Sequence, residues 1–374
     1  MKVLVTGSDG FIGKNLVARL NEGYEVEILR FTKSRPEIAL RDLVSEADFV
    51  FHLAGVNRPL DPTEFLVGNI ELTRKLTGFL TDRGRPIPIV FASSIQAEQD
   101  NPYGKSKRVA EDALLAYRGA TDSSVYIYRL PNVFGKWCRP NYNSVVATFC
   151  HNIARDVPIT INDATTSVSL VYVEDLIEEF GRVFQHHSTG GSVALPGPYR
   201  DVTPTYATTV GELAAAISSF KQSRVSLTID RVGTGFLRAL YSTYISYLPS
   251  EAFAYSIPKH VDPRGEFAEI LKTPDCGQFS YLTALPGVTR GSHYHHSKSE
   301  KFLVIRGRAR FRFRQILSGE TVEIETSGEA LQIVETVPGW VHDITNVGDA
   351  ELIVMLWANE VFDRNRPDTY ACKV

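Results

Sequence analysis

Apolar positions recur along the first half of the chain in a rhythm of short runs and helical stripes, and along the last third in short runs broken by turns. The chain opens with an apolar run, Val3 to Val5, and a turn punctuated by Gly7, Gly10 and Gly13. A helical pattern follows, with Phe11, Ile12, Leu16, Val17 and Leu20 on one face. Tyr24 to Leu29 predicts a second strand. ADFVFHLAGVNRP and PIPIVFASSIQ predict two more, each ending in small or polar residues, and VGNIELTRKLTGFL between them predicts an amphipathic helix. A helix from about Pro102 and a strand over Val125 to Leu130 continue the alternation, so the spacing predicts an α/β fold on a doubly wound parallel sheet. Thr208 to Lys221 predicts a further helix with Val210, Leu213 and Ile217 inward. From Ile257 onward the pattern predicts an all-β antiparallel barrel.

A chain of 374 residues is too long for one ordinary domain. The pattern divides it into residues 1–243, a junction at 244–256 and a barrel at 257–374. YSTYISYLPSEAFAY, at 241–255, is crowded with aromatics that would pack two domains or two subunits together. There is no internal repeat and no low-complexity segment. A formal charge of −3 without a long basic run gives no electrostatic case for nucleic acid or an anionic membrane. No apolar run reaches bilayer length, and Cys138, Cys150, Cys276 and Cys372 are scattered, which together predict a reduced, cytoplasmic protein.

Three stretches carry candidate chemistry. In TGSDGFIG the glycines allow a tight turn and close approach of the backbone to a pyrophosphate held at a helix N-terminus, as in a Rossmann-type unit. At the end of the second strand, where such units carry an acid for the ribose 2′-hydroxyl, this chain has Arg30, with Lys33 and Arg35 behind it; a 2′-phosphate and NADP(H) follow in preference to NAD(H). Tyr103 and Lys107 stand four apart on one helix face, where an ammonium beside a phenol would favour the phenolate. In GVTRGSHYHHSKSEKFLVIRG, strand alternation turns His293 and His295 one way and Tyr294 and His296 the other. Glu300 follows a polar turn, SKS, and would face the imidazoles across a hairpin. His342, after the turn at Pro338 and Gly339, is the candidate fourth ligand. Three imidazoles and a carboxylate suit zinc, and also Mn, Fe, Ni or Cu.

With TGSDGFIG, HLAG and the serines before Tyr103, residues 1 to about 243 resemble the extended short-chain dehydrogenase/reductases that modify nucleotide sugars, and LPNVFGK and SLVYVEDL look like landmarks of that branch. The resemblance implies a cofactor site of Gly7, Gly10, Phe11, Ile12, Gly13, Arg30, Leu53, Ala54, Gly55, Tyr103 and Lys107. It implies Ser94, Tyr103 and Lys107 as catalytic, with Ser93 the alternative serine and Asn69 in support. Pro131, Asn132, Lys136, Arg139 and Asn141 would line a nucleotide-sugar pocket or serve only as loop polarity. Tyr103 follows Ser94 more closely than is usual in that family. Gly287, His293, His295, Glu300 and Gly307 match the first cupin motif, and Gly339, His342 and Asn346 the second, with Pro338 one place nearer the glycine than the pattern has it. DPRGEFAEI resembles the start of the cupin-type deoxysugar epimerases.

The order and wording of NPYGKSK, FGKW, NYNSV, LAGVNRP and PDTY also resemble a family of bifunctional capsular-polysaccharide enzymes over essentially the full length. That resemblance implies a UDP-amino-sugar substrate, UDP-2-acetamido-2,6-dideoxy-4-hexulose, epimerised at a zinc-bearing cupin and then reduced with NADPH on the route to UDP-N-acetyl-L-fucosamine. It also implies a homodimer. In the alternative the barrel is a structural or binding module and only the reductase turns over.

Overall fold

The computed structural model describes residues 1–59, 61–189, 197–258, 260–262, 265–267, 270–273, 277–360, 363 and 365–374. Its first elements are β1 (Lys2–Thr6), α1 (Phe11–Gly23), β2 (Glu27–Phe31), α2 (Glu37–Glu46) and β3 (Phe49–His52). α3 (Thr63–Phe65) runs through a π-turn at Leu66–Glu71 into α4 (Leu72–Asp82). There follow β4 (Ile89–Ser94), a 3₁₀ turn at Ile95–Glu98, α5 (Pro102–Thr121), β5 (Val125–Leu130) and β6 (Asn132–Phe134). Next come α6 (Val145–Ala154), β7 (Ser167–Tyr172), α7 (Val173–Ser188) and β8 (Tyr199–Arg200). Six strands form one parallel sheet in the order β2-β1-β3-β4-β5-β8. Val3, Leu4, Val5, Phe49, Val50 and Phe51 are all buried, which explains why these strands read as unbroken apolar runs rather than as alternation. The strand order reverses between β1 and β3, and ligands of such sheets bind beyond the carboxyl ends of the strands at that point. α5 starts at Pro102 because proline is preset for the first helical position and the Asn101 side chain accepts from the Gly104 amide at 2.8 Å.

The chain continues with β9 (Tyr206–Thr209), α8 (Val210–Ser226), α9 (Gly235–Ile245) and β10 (Ala254–Ser256). Thr209 and Glu212 close a capping box that fixes the start of α8. β11 (His260–Asp262) and β12 (Gly265–Phe267) pair antiparallel. The barrel strands are β13 (Gln278–Ala284), β14 (Thr289–Tyr294), β15 (Glu300–Arg306), β16 (Arg308–Gln315) and β17 (Thr321–Ser327). β18 (Gln332–Glu335), β19 (Trp340–Asn346), β20 (Leu352–Ala358) and β21 (Tyr370–Ala371) complete them. They make two five-stranded sheets, β10-β18-β15-β20-β13 and β17-β16-β19-β14-β21, antiparallel throughout.

Two compact units result: Met1–Asn143 with Ser169–Ala207, and Ser144–Val168 with Thr208–Val374. The second therefore gathers α6, α8 and α9 together with the barrel. The aromatic segment at 241–255 is part of this second unit, with Tyr241 against Phe220 (ring centroids 5.1 Å apart) and Phe253 against Trp340 (5.0 Å). Two local expectations change. The helix expected over VGNIELTRKLTGFL begins as a π-turn, and β14 and β15 belong to different sheets, so they do not form a hairpin. Cys276 and parts of DPRGEFAEI lie outside the described residues. Among those described, no helix is long and apolar enough to cross a membrane.

Candidate functional site

In the first unit the glycine turn follows β1 directly. Gly7 has φ +69°, and a Cβ there would stand 2.7 Å from the Ala54 nitrogen; a Cβ on Gly13 would collide with the Gly7 carbonyl. Gly10 donates to that carbonyl at 2.9 Å and caps α1, whose first turn begins with Phe11 and Ile12. The turn and the Leu53–Ala54–Gly55 segment thus flank the place where the strand order reverses. The buried Ser8 hydroxyl has no hydrogen-bond partner among the described residues. A glycine cradle with an unsatisfied hydroxyl at a helix start fits a pyrophosphate. Arg30 is exposed near the end of β2, and Lys33 and Arg35 are exposed beyond it.

His52 ties this loop to the helices behind it. Its Nδ1 lies 2.7 Å from Thr6 Oγ1 and its Nε2 2.9 Å from Thr73 Oγ1, and Thr73 Oγ1 donates to the Asn69 carbonyl at 2.6 Å. Thr73 can then only accept from the imidazole, so Nε2 carries the proton and Thr6 donates to Nδ1. Burial, with the Lys107 charge, lowers the His52 pKa to about 3. Asn69, re-aimed by the π-turn, donates to Ser106 Oγ at 2.8 Å and exchanges hydrogen bonds with both backbone groups of Val56.

Tyr103 and Lys107 lie on successive turns of α5. The Ser94 hydroxyl lies close enough to the Tyr103 phenol to lower its pKa, whereas Ser93 Oγ donates to Glu111 at 2.5 Å. Of the two serines, Ser94 is therefore the one facing the tyrosine. Lys107 Nζ donates to the Ala92 carbonyl at 2.9 Å and stands over the Phe91 ring. Burial lowers the lysine to about 8, with the Glu111 carboxylate working against it. The phenol is not acidified as the Tyr–Lys spacing predicted. Burial raises its pKa, and the neighbouring Ser94 hydroxyl offsets only part of that rise.

Glu111, one turn beyond Lys107, was not anticipated. It accepts from Arg129 Nε at 3.1 Å and NH2 at 2.6 Å, and from Tyr199 OH at 3.3 Å. Its i+4 spacing from Lys107 was available in the sequence, but its hydrogen-bond partners Arg129 and Tyr199 come from other strands. Lys136, one of the expected pocket residues, is buried in an ion pair with Glu174.

In the second unit His293, His295, Glu300 and His342 bring one ligand atom each to within 4.8 Å of all the others. β14 and β19 pair His293 with His342, while Glu300 begins β15 in the opposite sheet, so the four groups converge on the space between the two sheets. Glu300 Oε2 lies 3.2 Å from His295 Nε2 and 3.5 Å from His342 Nε2. Among the described residues, neither ring nitrogen of the buried His342 has a hydrogen-bond partner. Burial lowers the His293 pKa to about 4, with the other two imidazoles reinforcing it, and burial also lowers His342. Burial opposes ionisation of Glu300, but His295 and His342 outweigh it and hold the carboxyl well below its ordinary value. Two imidazoles whose protonation burial disfavours, a third beside them and an ionised carboxylate fit a divalent transition metal. Tyr294 and His296 point away and pack on Tyr370 at 5.6 and 5.0 Å.

The SKS turn is not solvated: Ser297, Lys298 and Ser299 are buried, and Lys298 Nζ sits 3.2 Å from Glu300 Oε1. Asp368, from the segment before β21, accepts hydrogen bonds from this turn and was likewise not anticipated. Nothing in local periodicity points to a contact so distant in sequence.

Residues 3–195 match the NAD dependent epimerase/dehydratase family, and residues 260–370 match the polysaccharide biosynthesis C-terminal domain. The chain is 57% identical over 374 residues to UDP-2-acetamido-2,6-beta-L-arabino-hexul-4-ose reductase of Pseudomonas aeruginosa, covering 100% of this chain and 99% of that protein. Among solved structures it is similar to the capsular polysaccharide assembling protein CapF of Staphylococcus aureus, with 41% identity, a TM-score of 0.68 and full coverage of both chains. UDP-glucuronic acid 4-epimerase of Bacillus cereus shares the fold of the N-terminal part, at 18% identity, 59% coverage of this chain and 84% of that one, and a TM-score of 0.52.

Proposed function

The chain belongs to the NAD-dependent epimerase/dehydratase family, and on that premise we propose that it is an NADPH-dependent 4-keto nucleotide-sugar reductase with an epimerase activity in its cupin-type barrel. The substrate on this reading is UDP-2-acetamido-2,6-dideoxy-4-hexulose, inverted at C3 and then reduced at C4 toward UDP-N-acetyl-L-fucosamine for capsule or O-antigen synthesis. The observation that carries it is full-length similarity to a hexul-4-ose reductase in a chain that keeps Ser94 beside the Tyr103 phenol and Lys107 one turn further along the same helix. The functional division is proposed at residues 1–243 and 257–374, joined by 244–256, in a cytoplasmic homodimer.

NADPH, when bound, supplies the hydride for the ketone carbon. Gly7, Gly10 and Gly13 would leave room for its pyrophosphate beside Phe11, Ile12, Leu53, Ala54 and Gly55, and Arg30 would hold the 2′-phosphate of NADPH. Ser94 donates a hydrogen bond to the ketone oxygen. Tyr103 delivers its phenolic proton there as negative charge develops, and Lys107 stabilises the phenolate left behind.

In the barrel, His293, His295, Glu300 and His342 would hold zinc or a related divalent ion. Such an ion supplies a Lewis acid for negative charge on the same ketone oxygen, which acidifies the neighbouring C–H. The protein's part is to present three imidazoles and one carboxylate from two facing sheets.

The test is solvent deuterium exchange. In deuterated water and without NADPH, the enzyme should label the carbon next to the ketone of a UDP-4-keto-6-deoxy-amino sugar, and Tyr103→Phe should keep that exchange while losing reduction. Reduction without any exchange would leave a reductase carrying a structural barrel.

A further inference from the structure

The turn between β14 and β15 has to hold two ligands, His295 and Glu300, at opposite ends of four residues, His296 to Ser299, that carry no regular structure. A short irregular segment fixes a geometry only if its backbone groups have partners. Here they come largely from Asp368. Its Oδ1 accepts from the His296 amide at 2.8 Å; its Oδ2 accepts from the amides of Ser297 at 2.7 Å and Lys298 at 2.7 Å, and from Ser297 Oγ at 2.8 Å. Three consecutive amides converging on one carboxylate form an anion-binding nest, and the anion is built into the chain.

The same residue acts on a ligand directly, since its backbone carbonyl accepts a hydrogen bond from His295 Nδ1. A carbonyl can only accept, so Nδ1 carries a proton and Nε2, 3.2 Å from Glu300 Oε2, is the nitrogen that would bind a cation. The flanking strand is anchored as well: β21 pairs with β14 through Tyr370 opposite Tyr294 and Ala371 opposite His293.

We propose that Asp368 is a positioning residue for the cation site, a strap from the C-terminal segment that sets the turn between His295 and Glu300 and fixes the His295 tautomer. This rests on the metal reading of the four-residue cluster.

The test uses full-length protein loaded with Zn²⁺ or Co²⁺, comparing wild type with Asp368→Ala, Asp368→Asn and Lys373→Ala. Loss of groups that orient metal ligands typically weakens metal binding about 10- to 100-fold, so Asp368→Ala should pass Zn²⁺ to a chromogenic chelator faster by a similar factor. Its Co²⁺ visible spectrum should change in position or intensity, which a purely structural role would leave alone. Asp368→Asn, which keeps an acceptor oxygen, should fall between, and Lys373→Ala, exposed in the same segment, should match wild type. Wild-type release and spectrum in Asp368→Ala would overturn the proposal, as would equal defects in Lys373→Ala. Should Asp368→Ala fail to fold, Asp368→Asn decides by the same two readouts. Wild-type protein that takes up neither ion would instead overturn the metal reading itself.

Discussion

Replacing Glu111 by Gln keeps the shape of a side chain that is only 1% exposed and removes its charge. Two effects follow. Arg129 loses its bidentate partner. Breaking a buried pair from one side costs about 3–5 kcal/mol, but Arg129 is 28% exposed and keeps Glu98 at 2.8 Å, so the expected loss is about 2–3 kcal/mol. The second effect reaches Lys107. Burial drops that lysine from 10.5 to about 8, and Glu111 is the group holding it up. A fall of that size corresponds to about 3 kcal/mol by which the native state disfavours the ammonium. Without Glu111 the penalty grows.

The sign is fixed by linkage. Because the folded value lies below the unfolded one, the penalty is present in full below pH 8 and vanishes as pH rises through 10.5, so Glu111→Gln should destabilise most near neutrality. The alkaline limb of the rate of NADPH oxidation should move toward lower pH. Urea unfolding at several pH values and a pH profile of kcat read the two effects separately. A lowered unfolding midpoint with an unmoved alkaline limb would refute the coupling to Lys107. An unchanged midpoint would refute the ion-pair reasoning.

Arg30→Ala should weaken NADPH binding by about tenfold or more, the worth of one exposed charge-assisted contact, and leave NADH nearly unaffected; equal losses, measured by titration with each cofactor, would reject the 2′-phosphate role. Exhaustive chelation should abolish deuterium exchange into the ketone while reduction of an already inverted ketone continues. Full exchange in metal-free protein would remove the barrel cluster from the chemistry.

The parts of these sites that could be read in advance are those whose determinants are contiguous. Gly7, Gly10 and Gly13 answer to one tight turn, Tyr103 and Lys107 to one helical face, and His293 and His295 to one strand's alternation. What could not be read depends on which distant segments the topology brings together. The SKS turn has the composition of a solvated turn, yet it is buried because Asp368 and Asn359 supply acceptors to its amides, the former from some 70 residues away. Glu300 reaches the imidazoles across two sheets rather than along a hairpin, a relation that pairing rules for adjacent strands do not contain. The π-turn that re-aims Asn69 inserts its extra residue without disturbing the apolar stripe that follows, so the pattern alone suggests one regular helix.

On the proposed reading, the chemistry of the ketone also dictates the order in which the two sites act. Removal of the neighbouring proton is feasible only while the carbonyl can accept the resulting electron pair, and hydride addition destroys that acceptor. Inversion must therefore precede reduction. The alcohol, once formed, cannot exchange, so deuterium at the adjacent carbon of the final product can only have entered before Tyr103 delivered its proton. In deuterated water with NADPH, the label in the alcohol then records passage through the barrel. A product that is inverted yet unlabelled would require the removed proton to be held from solvent and returned to the opposite face, which a single base on one face of the sugar cannot do.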